Sequence, residues 1–341
     1  MIRLLVGFVV SSLCLFLVLF VDNAQATSLL ITRFGDNVVD EYGLDGTFIR
    51  TFASATAQPG SLSSPIRLAQ NGPGGDVFVL NIGTSDVTRF EFGNSGPGGE
   101  AAVVPPDPFA SGGHVSGRGI EFGPNGNLFV SAFGTNNVVE YDATTGALVG
   151  TYATTAGQPQ DLAFDAGGDL FVANVDGTQG IFRFDASGTP LGLFADRPGS
   201  PSSTGGAVGL EFAPNGHLFA TFSYSNGFAG NFVSEFDASG TYLGDVFTYP
   251  ASGAEQAIDL EFAPNGNLYV ARYSSGTIDE LQLGLPGAAA SVANSFVVSE
   301  GASVRVVELQ QVVPEPSTCA LAALGLLGLG LFGWQRRGAR G

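Results

Sequence analysis

Along residues 119–152, GIEFGPNGNLFVSAFGTNNVVEYDATTGALVGTY, short apolar runs alternate with polar, Gly-rich breaks. The alternation predicts strands at Gly119–Phe122, Leu128–Ala132, Val138–Tyr141 and Leu148–Tyr152. Pro124-Asn125-Gly126 separates the first two, and Asn-Gly between apolar runs is a strong hairpin signal because both residues accept φ > 0. Asp142 to Gly146 forms the outer turn, where an Asp carboxylate accepts bonds from the backbone that follows it. The second run, Leu128-Phe129-Val130, is apolar on both faces, which suits a strand covered from both sides. The third, Val138-Val139-Glu140-Tyr141, is mixed and fits a wetter rim.

The unit recurs. Its hairpin returns at Phe122 to Leu128, Phe164 to Leu170, Phe212 to Leu218 and Phe262 to Leu268, and its outer turn at Asp142 to Gly146, Asp185 to Gly188 and Asp237 to Gly240. Aligned on the second strand, the copies fall at Leu30, Phe78, Phe129, Phe171, Phe219 and Tyr269, with spacings of 48, 51, 42, 48 and 50 residues. Several strands per repeat at such a period is the signature of a β-propeller. The fold class is therefore all-β, a six-bladed propeller.

The first blade begins at its second strand. An open edge there would leave backbone groups unpaired, and Ser303–Leu309, which contains no turn former, is the segment expected to fill it. Ser295–Ser299 is then expected to complete the sixth blade, and the ring closes by pairing the two ends of the mature chain. Residues 94–117 and 224–231 are long insertions of the kind that map to a binding face.

The ends have a different character. Arg3, the apolar run Leu4–Val21 and Ala24-Gln25-Ala26 form the three regions of a signal peptide, with cleavage by signal peptidase after Ala26. Val313-Pro314-Glu315-Pro316 precedes an apolar stretch, Cys319–Trp334, and then Arg336, Arg337 and Arg340. That stretch is near the lower limit of about 17 residues for a spanning helix, and the arginines should stay cytoplasmic with the rest of the chain outside. The division is a signal peptide at 1–26, a propeller at 27–310 and a tail at 311–341 with a helix at about 318–334. For each end the alternative is an anchor that is never cleaved.

The order VPEPST, Gly/Leu-rich helix, terminal Arg cluster closely resembles the PEP-CTERM sorting signal of Gram-negative bacteria. The resemblance implies recognition of Pro314, Glu315 and Pro316, after Val313, by an exosortase-type membrane protease, with Arg336 and Arg337 as the stop signal. It implies an exported protein of the envelope, cell surface or medium, held to a membrane only by the helix before processing.

Composition narrows the partners. The 341 residues carry 31 acids against 13 arginines and no lysine, a net charge of −18. Such a surface repels nucleic acid, whose binding needs clustered cations. Both cysteines, Cys14 and Cys319, lie in the hydrophobic ends, so the propeller has no disulfide, thiolate nucleophile or Cys-metal site.

The pattern G-[IL]-x-F-x-P-N-G-x-L-[FY]-V looks like NHL repeats and the propellers of regucalcin-like lactonases and streptogramin lyases. This sequence departs from NHL repeats at Glu121, Glu211 and Glu261, where those usually have a small residue. Each of these glutamates lies between apolar neighbours on an inner strand, and inner strands line a propeller's channel. Asp161 and Asp259 stand two residues before the equivalent place in their blades. Two readings of the five acids stand side by side: a Ca²⁺ site, since oxygen ligands in number suit that ion and regucalcin-like enzymes use a channel metal, or carboxylates that are solvated or bonded to backbone. No cofactor follows from residue types alone.

Of the two histidines, His217 reads as a surface residue flanking a hairpin turn, and His114 lies in the 94–117 loop with nothing nearby to orient it as an acid or base. No Ser/His/Asp set or phosphate loop stands out, and Arg67, Arg118 and Arg272 read as partners for the acidic surface. Two functions follow: a surface or secreted binding propeller for an extracellular polymer or protein, or a calcium-dependent lactonase-like hydrolase or lyase working through the channel acids. If the ends close the ring, a proteolytic cut at Gly301 is expected to unfold the propeller. An unchanged melting temperature after the cut would refute the closure.

Overall fold

The computed structural model describes residues 26–72, 75–95, 99–177, 180–198, 205–224, 231–250, 256–273, 275–298 and the backbone of 304–312. Residues 27–310 group as one unit, separate from the flanking residues on either side. The signal peptide, the sorting residues Val313, Pro314, Glu315, Pro316, Arg336 and Arg337, and the apolar tail lie outside the described residues, as do 225–230 of one expected insertion.

Six sheets follow one another, five of four strands and one of five. Blade 1 holds β1 (Ala26–Arg33), β2 (Val38–Gly43) and β3 (Phe48–Ser54); blade 2 holds β4 (Pro65–Gln70), β5 (Val77–Asn81), β6 (Asp86–Ser95), β7 (Ala101–Val103) and β8 (Ala110–Ser111). Blade 3 is β9 (Gly117–Phe122), β10 (Leu128–Ala132), β11 (Asn137–Tyr141) and β12 (Leu148–Thr154). Blade 4 is β13 (Gly157–Phe164), β14 (Leu170–Gly177), β15 (Gly180–Phe184) and β16 (Pro190–Ala195). Blade 5 is β17 (Gly205–Phe212), β18 (Leu218–Tyr224), β19 (Asn231–Phe236) and β20 (Tyr242–Tyr249), and blade 6 is β21 (Ala257–Phe262), β22 (Leu268–Arg272), β23 (Thr277–Gln282) and β24 (Ser291–Val297). The last strand, β25 (Val304–Val312), pairs with the free side of β1, so the first blade reads β25-β1-β2-β3. The ring is closed by the strand expected from the sequence.

Two expectations shift. The fourth strand of blade 6 starts earlier than Ser295, at Ser291. The 94–117 stretch does not stand apart as an insertion: β7 and β8 within it both pair with β6 and make the outer edge of blade 2.

The apolar second strands explain the packing. Leu128, Val130, Leu170, Val172, Leu218 and Leu268 are fully buried between neighbouring sheets. Aromatic rings interlock across the seams. Phe78 stands edge-to-face on Phe109 at 5.1 Å and on Phe122 of blade 3 at 5.2 Å. Phe129 does the same with Tyr152 and Phe164 at 4.8 and 5.0 Å, and Phe171 with Phe194 and Phe212 at 4.7 and 5.0 Å. Each set joins a second-strand ring, a ring on its own blade's outer edge and an inner-strand ring of the next blade. Each pair adds about 0.5–1.5 kcal/mol beyond the area it buries.

The turns are tied down by side chains. Asp142, Asp185 and Asp237 accept N–H bonds from Thr144, Ser187 and Ser239 at 3.0, 2.9 and 2.8 Å. At the hairpins, Glu140 accepts from Asn125 and Asn127, and Glu280 from Asn265 and Asn267. In blade 5 the same clamp is His217 Nδ1 with Glu235 Oε1 at 2.7 Å. His217 is thus a paired, half-buried residue and not a solvated turn flank.

The outer-turn glycines have a second task. Gly188 and Gly240 adopt φ of +81° and +85°, and a Cβ on either would overlap a backbone carbonyl of the preceding blade, that of Tyr152 or Phe194. Gly216, in a hairpin turn, has φ +82° but open space around it. Gly216→Ala should therefore cost only the left-handed conformation, about 1–2 kcal/mol. Gly240→Ala adds a clash at a blade seam and is expected to cost more than that, read as a clearly larger drop in chemical-denaturation midpoint. Equal losses would show that the seam contact is unimportant.

Candidate functional site

The channel is built by period-two alternation on the inner strands. Each of β4, β9, β13, β17 and β21 carries a bulge where it pairs with its neighbour. The residue after each bulge and the one two further on face the same side. The first layer then reads Arg67, Gly119, Asp161, Gly209 and Asp259, and the second reads Ala69, Glu121, Ala163, Glu211 and Glu261. All five acids of the sequence reading face one cavity of about 120 Å³, together with Arg67.

Arg67 organises this cavity. From blade 2 its Nη1 reaches Asp161 Oδ2 of blade 4 at 2.7 Å and Asp259 Oδ1 of blade 6 at 2.5 Å. Its Nη2 donates to the carbonyl of Ile258 at 3.2 Å. Alternate blades are joined by one cation across the channel. Asp161 is further held by the backbone N–H of Leu162 and of Leu210, each at 2.9 Å. Glycine at 119 and 209 is what lets the neighbours come this close, because a Cβ at either would crowd the Cα of Asp161 or Asp259. Burial works against the charge of Arg67, but the two carboxylates outweigh it and hold the guanidinium more firmly protonated than usual. Burial likewise raises the Asp161 carboxyl, and Arg67 pulls it back toward ionisation.

Glu121 is in a different position. Water reaches its side chain from within the channel, yet protein surrounds it. This burial, reinforced by the charge of Asp161, pushes its carboxyl up to about 8. Glu211 and Glu261 both have interaction partners. Among the described residues no three His, Cys, Asp or Glu side chains are placed to hold one metal ion. A calcium ion fits the donor chemistry of these acids but not their arrangement, since Arg67 stands between the two deepest.

The arginines correct the surface reading. Arg67 is interior, and Arg118 lies over the ring of Phe133 at 4.9 Å with burial lowering its pKa. Arg272 pairs with an acid of its own blade, Asp279, at 2.9 Å. His114 is also interior: its Nδ1 lies 2.7 Å from the Tyr141 hydroxyl, which accepts from the N–H of Gly113. Burial pushes His114 down to about 4, so it is neutral near pH 7 and packs as a core residue. The sequence signal that would have found Arg67 is the alternation Arg-Gly-Asp-Gly-Asp at one register position, visible only once the bulges are aligned.

Comparison with known proteins bears on the ends and on the ring separately. Residues 312–340 match the family model described as PEP-CTERM protein-sorting motif. The chain carries a PEP-CTERM sorting signal. That marks it for export and envelope-associated sorting by an exosortase-type protease. No curated protein matches the sequence. Among solved structures, a chain of a nidogen/laminin complex is similar at TM-score 0.60 and 13% identity, over 83% of this chain and 98% of that one. Virginiamycin B lyase from Staphylococcus aureus, bound to quinupristin, is similar at 0.50 and 16%, over 86% and 87%. So is a putative 6-phosphogluconolactonase from Bacteroides uniformis ATCC 8492, at 0.52 and 15%, over 83% and 85%. At such identities these likenesses show the fold, which hosts both binding and catalysis.

The raised Glu121 fixes the sign of a pH effect. A carboxyl protonated in the folded state up to about pH 8, and ionised in the unfolded state above about 4.3, favours folding at low pH and loses that contribution as pH rises between the two values. Glu121→Gln is therefore expected to raise the melting temperature at pH 8 relative to the parent and to leave it nearly unchanged at pH 4. Parallel melting curves across that range would refute the assignment.

Proposed function

We propose that this protein is an exported binding propeller of the Gram-negative cell surface or extracellular matrix, delivered by its sorting tail. Its partner is an extracellular polymer or protein. The observation that carries this reading is the Arg67 bridge. The carboxylates that could form a metal site are drawn instead onto a guanidinium, and the centre of the ring becomes a structural hub. A rigid hub leaves recognition to the rim and to the loops between blades, where a ring of repeated units presents a broad surface.

The second reading, a calcium-dependent hydrolase or lyase, is favoured by the convergence of Glu121, Glu211 and Glu261 on the same cavity. Virginiamycin B lyase and the putative lactonase share the fold and supply precedent for chemistry on it, but no residue of theirs is carried over. On this reading Arg67 would have to leave before an ion could enter between Asp161 and Asp259.

A calcium titration followed by thermal melting separates the two. The parent protein is expected to melt at the same temperature with and without millimolar calcium. Arg67→Met leaves two buried carboxylates without their cation, which costs about 3–5 kcal/mol, and calcium is expected to restore part of that loss in the variant alone. A parent stabilised by several degrees would overturn the binding reading in favour of the metal enzyme. The positive test is saturable retention of matrix polysaccharide or protein by the immobilised full chain, competed by the same chain in solution.

A further inference from the structure

The seam between blades 5 and 6 lacks a ring that the three seams described above have. In blades 1, 3 and 4 the outer strand carries a bulge, and the bulged residue is aromatic: Phe52, Tyr152 and Phe194. In blade 2 Phe109 takes the same part. Blade 5 has the bulge between the pairs Val233–Phe247 and Ser234–Asp245, and the residue in it is Val246. The two flanking rings are kept, Phe219 and Phe262 standing edge-to-face at 5.2 Å with an interplanar angle of 82°. Among the described residues no third ring joins them. In its place lies a cavity of about 290 Å³ lined by Phe219, Val246, Phe262, Glu235 and Leu283.

The cavity opens outward. Asn215 and Pro214 of the blade 5 hairpin stand on one side of its mouth, and Leu285 and Pro286 of the β23–β24 loop on the other. Leu285 is 80% exposed. The loop itself is fixed: Gly287 donates its N–H to Glu235 Oε2 at 2.6 Å, and Ala290 donates to the Val246 carbonyl at 2.7 Å. A buried carboxylate and a β20 carbonyl thus anchor the loop at the mouth. In blade 3 the equivalent glutamate, Glu140, lies close enough to Tyr152 to act on its hydroxyl, so a ring beside this carboxylate is a tolerated arrangement.

We propose that the gap between blades 5 and 6 is a binding site for an aromatic ring presented from outside. The ligand completes the seam that Phe109, Tyr152 and Phe194 complete from within. The volume is near the lower end of ligand pockets, enough for one substituted ring beside Phe219 at edge-to-face distance. This names a ligand class for the binding reading and rests on it. The ring can come from a small aromatic molecule or from an exposed aromatic side chain of a protein.

The test uses the full chain in detergent, with p-cresol, the peptide Gly-Tyr-Gly and cyclohexylmethanol as probes, each followed by melting temperature and by saturable equilibrium dialysis. Micelle partitioning is the same for parent and variants, so differences between them report the site. The parent should bind p-cresol saturably and at least tenfold more tightly than cyclohexylmethanol. Val246→Phe, which supplies the missing ring, should melt higher and lose p-cresol binding. Leu285→Ser, at an exposed position that does not threaten folding, should weaken binding severalfold with the melting temperature unchanged. Binding of the peptide as well as p-cresol assigns the site to protein-borne rings, and p-cresol alone assigns it to small molecules. No saturable binding, equal binding of the aliphatic control, or full binding by Val246→Phe each overturns the proposal. If matrix retention persists in any of those cases, the binding reading survives without this site; if retention fails too, both fall.

Discussion

A sheet that is apolar on both faces has to be covered on both faces, and a ring of such sheets is covered everywhere only when it closes. Phe129, Val130 and Val172 are buried from either side because a neighbouring blade lies on each. Blade 1 can take part only if β1 finds an inner partner, and β25 is that partner. The pairing carries more than the backbone bonds it makes, since opening it would expose apolar faces on two blades at once. The repeated seam contacts depend on the closure. Rings interlock across blades, and turn glycines press on the carbonyls of the blade before, only while the blades keep their angular spacing.

The channel is where this geometry becomes electrostatics. Six inner strands converging on one axis bring side chains together regardless of their distance in sequence, and Arg67 meets Asp161 and Asp259 from 94 and 192 residues away. Burying such charges offers little net stability compared with apolar packing, while removing one member is costly. The triad therefore reads as a specifier of the arrangement: a cation in blade 2 and anions in blades 4 and 6 favour one order of blades around the axis. It also neutralises part of a strongly acidic cavity.

Much of the ring was legible because its signals are local. Asn125-Gly126, Asp142 and the apolar second strands report turns and burial within a few residues of themselves, and their spacing reports the repeat. The channel acids were legible as well, because Glu121, Glu211 and Glu261 interrupt an apolar pattern. What escaped was whatever depends on registration between blades. Arg67 looked like a rim residue because blade 2 lacks the Pro-Asn-Gly hairpin that would have aligned it with Asp161. His217 looked solvated because Glu235, its partner, lies on a different strand. The edge role of β7 and β8 was hidden by a Gly- and Pro-rich stretch that reads as loop.

In a repeat protein each blade is a control for the others. A residue that recurs is explained by the scaffold, as Gly188 and Gly240 are by the seam they press on, so departures from the repeat are where selection for something else can be read. One recurring position and one departure have no return in stability. Glu121 keeps a carboxyl in surroundings that push it up to about 8, where the alanine of blades 2 and 4 would serve the fold without that cost. Val246 leaves a gap beside Phe219 and Phe262 where four other blades place a ring. A small-to-large change at such a gap is easily reached by mutation, and filling it would recover the contacts that the flanking rings forgo. One of these positions faces the axis and the other the rim, and they lie in different blades, while β21 lines both cavities. An account of what this propeller does has to explain both.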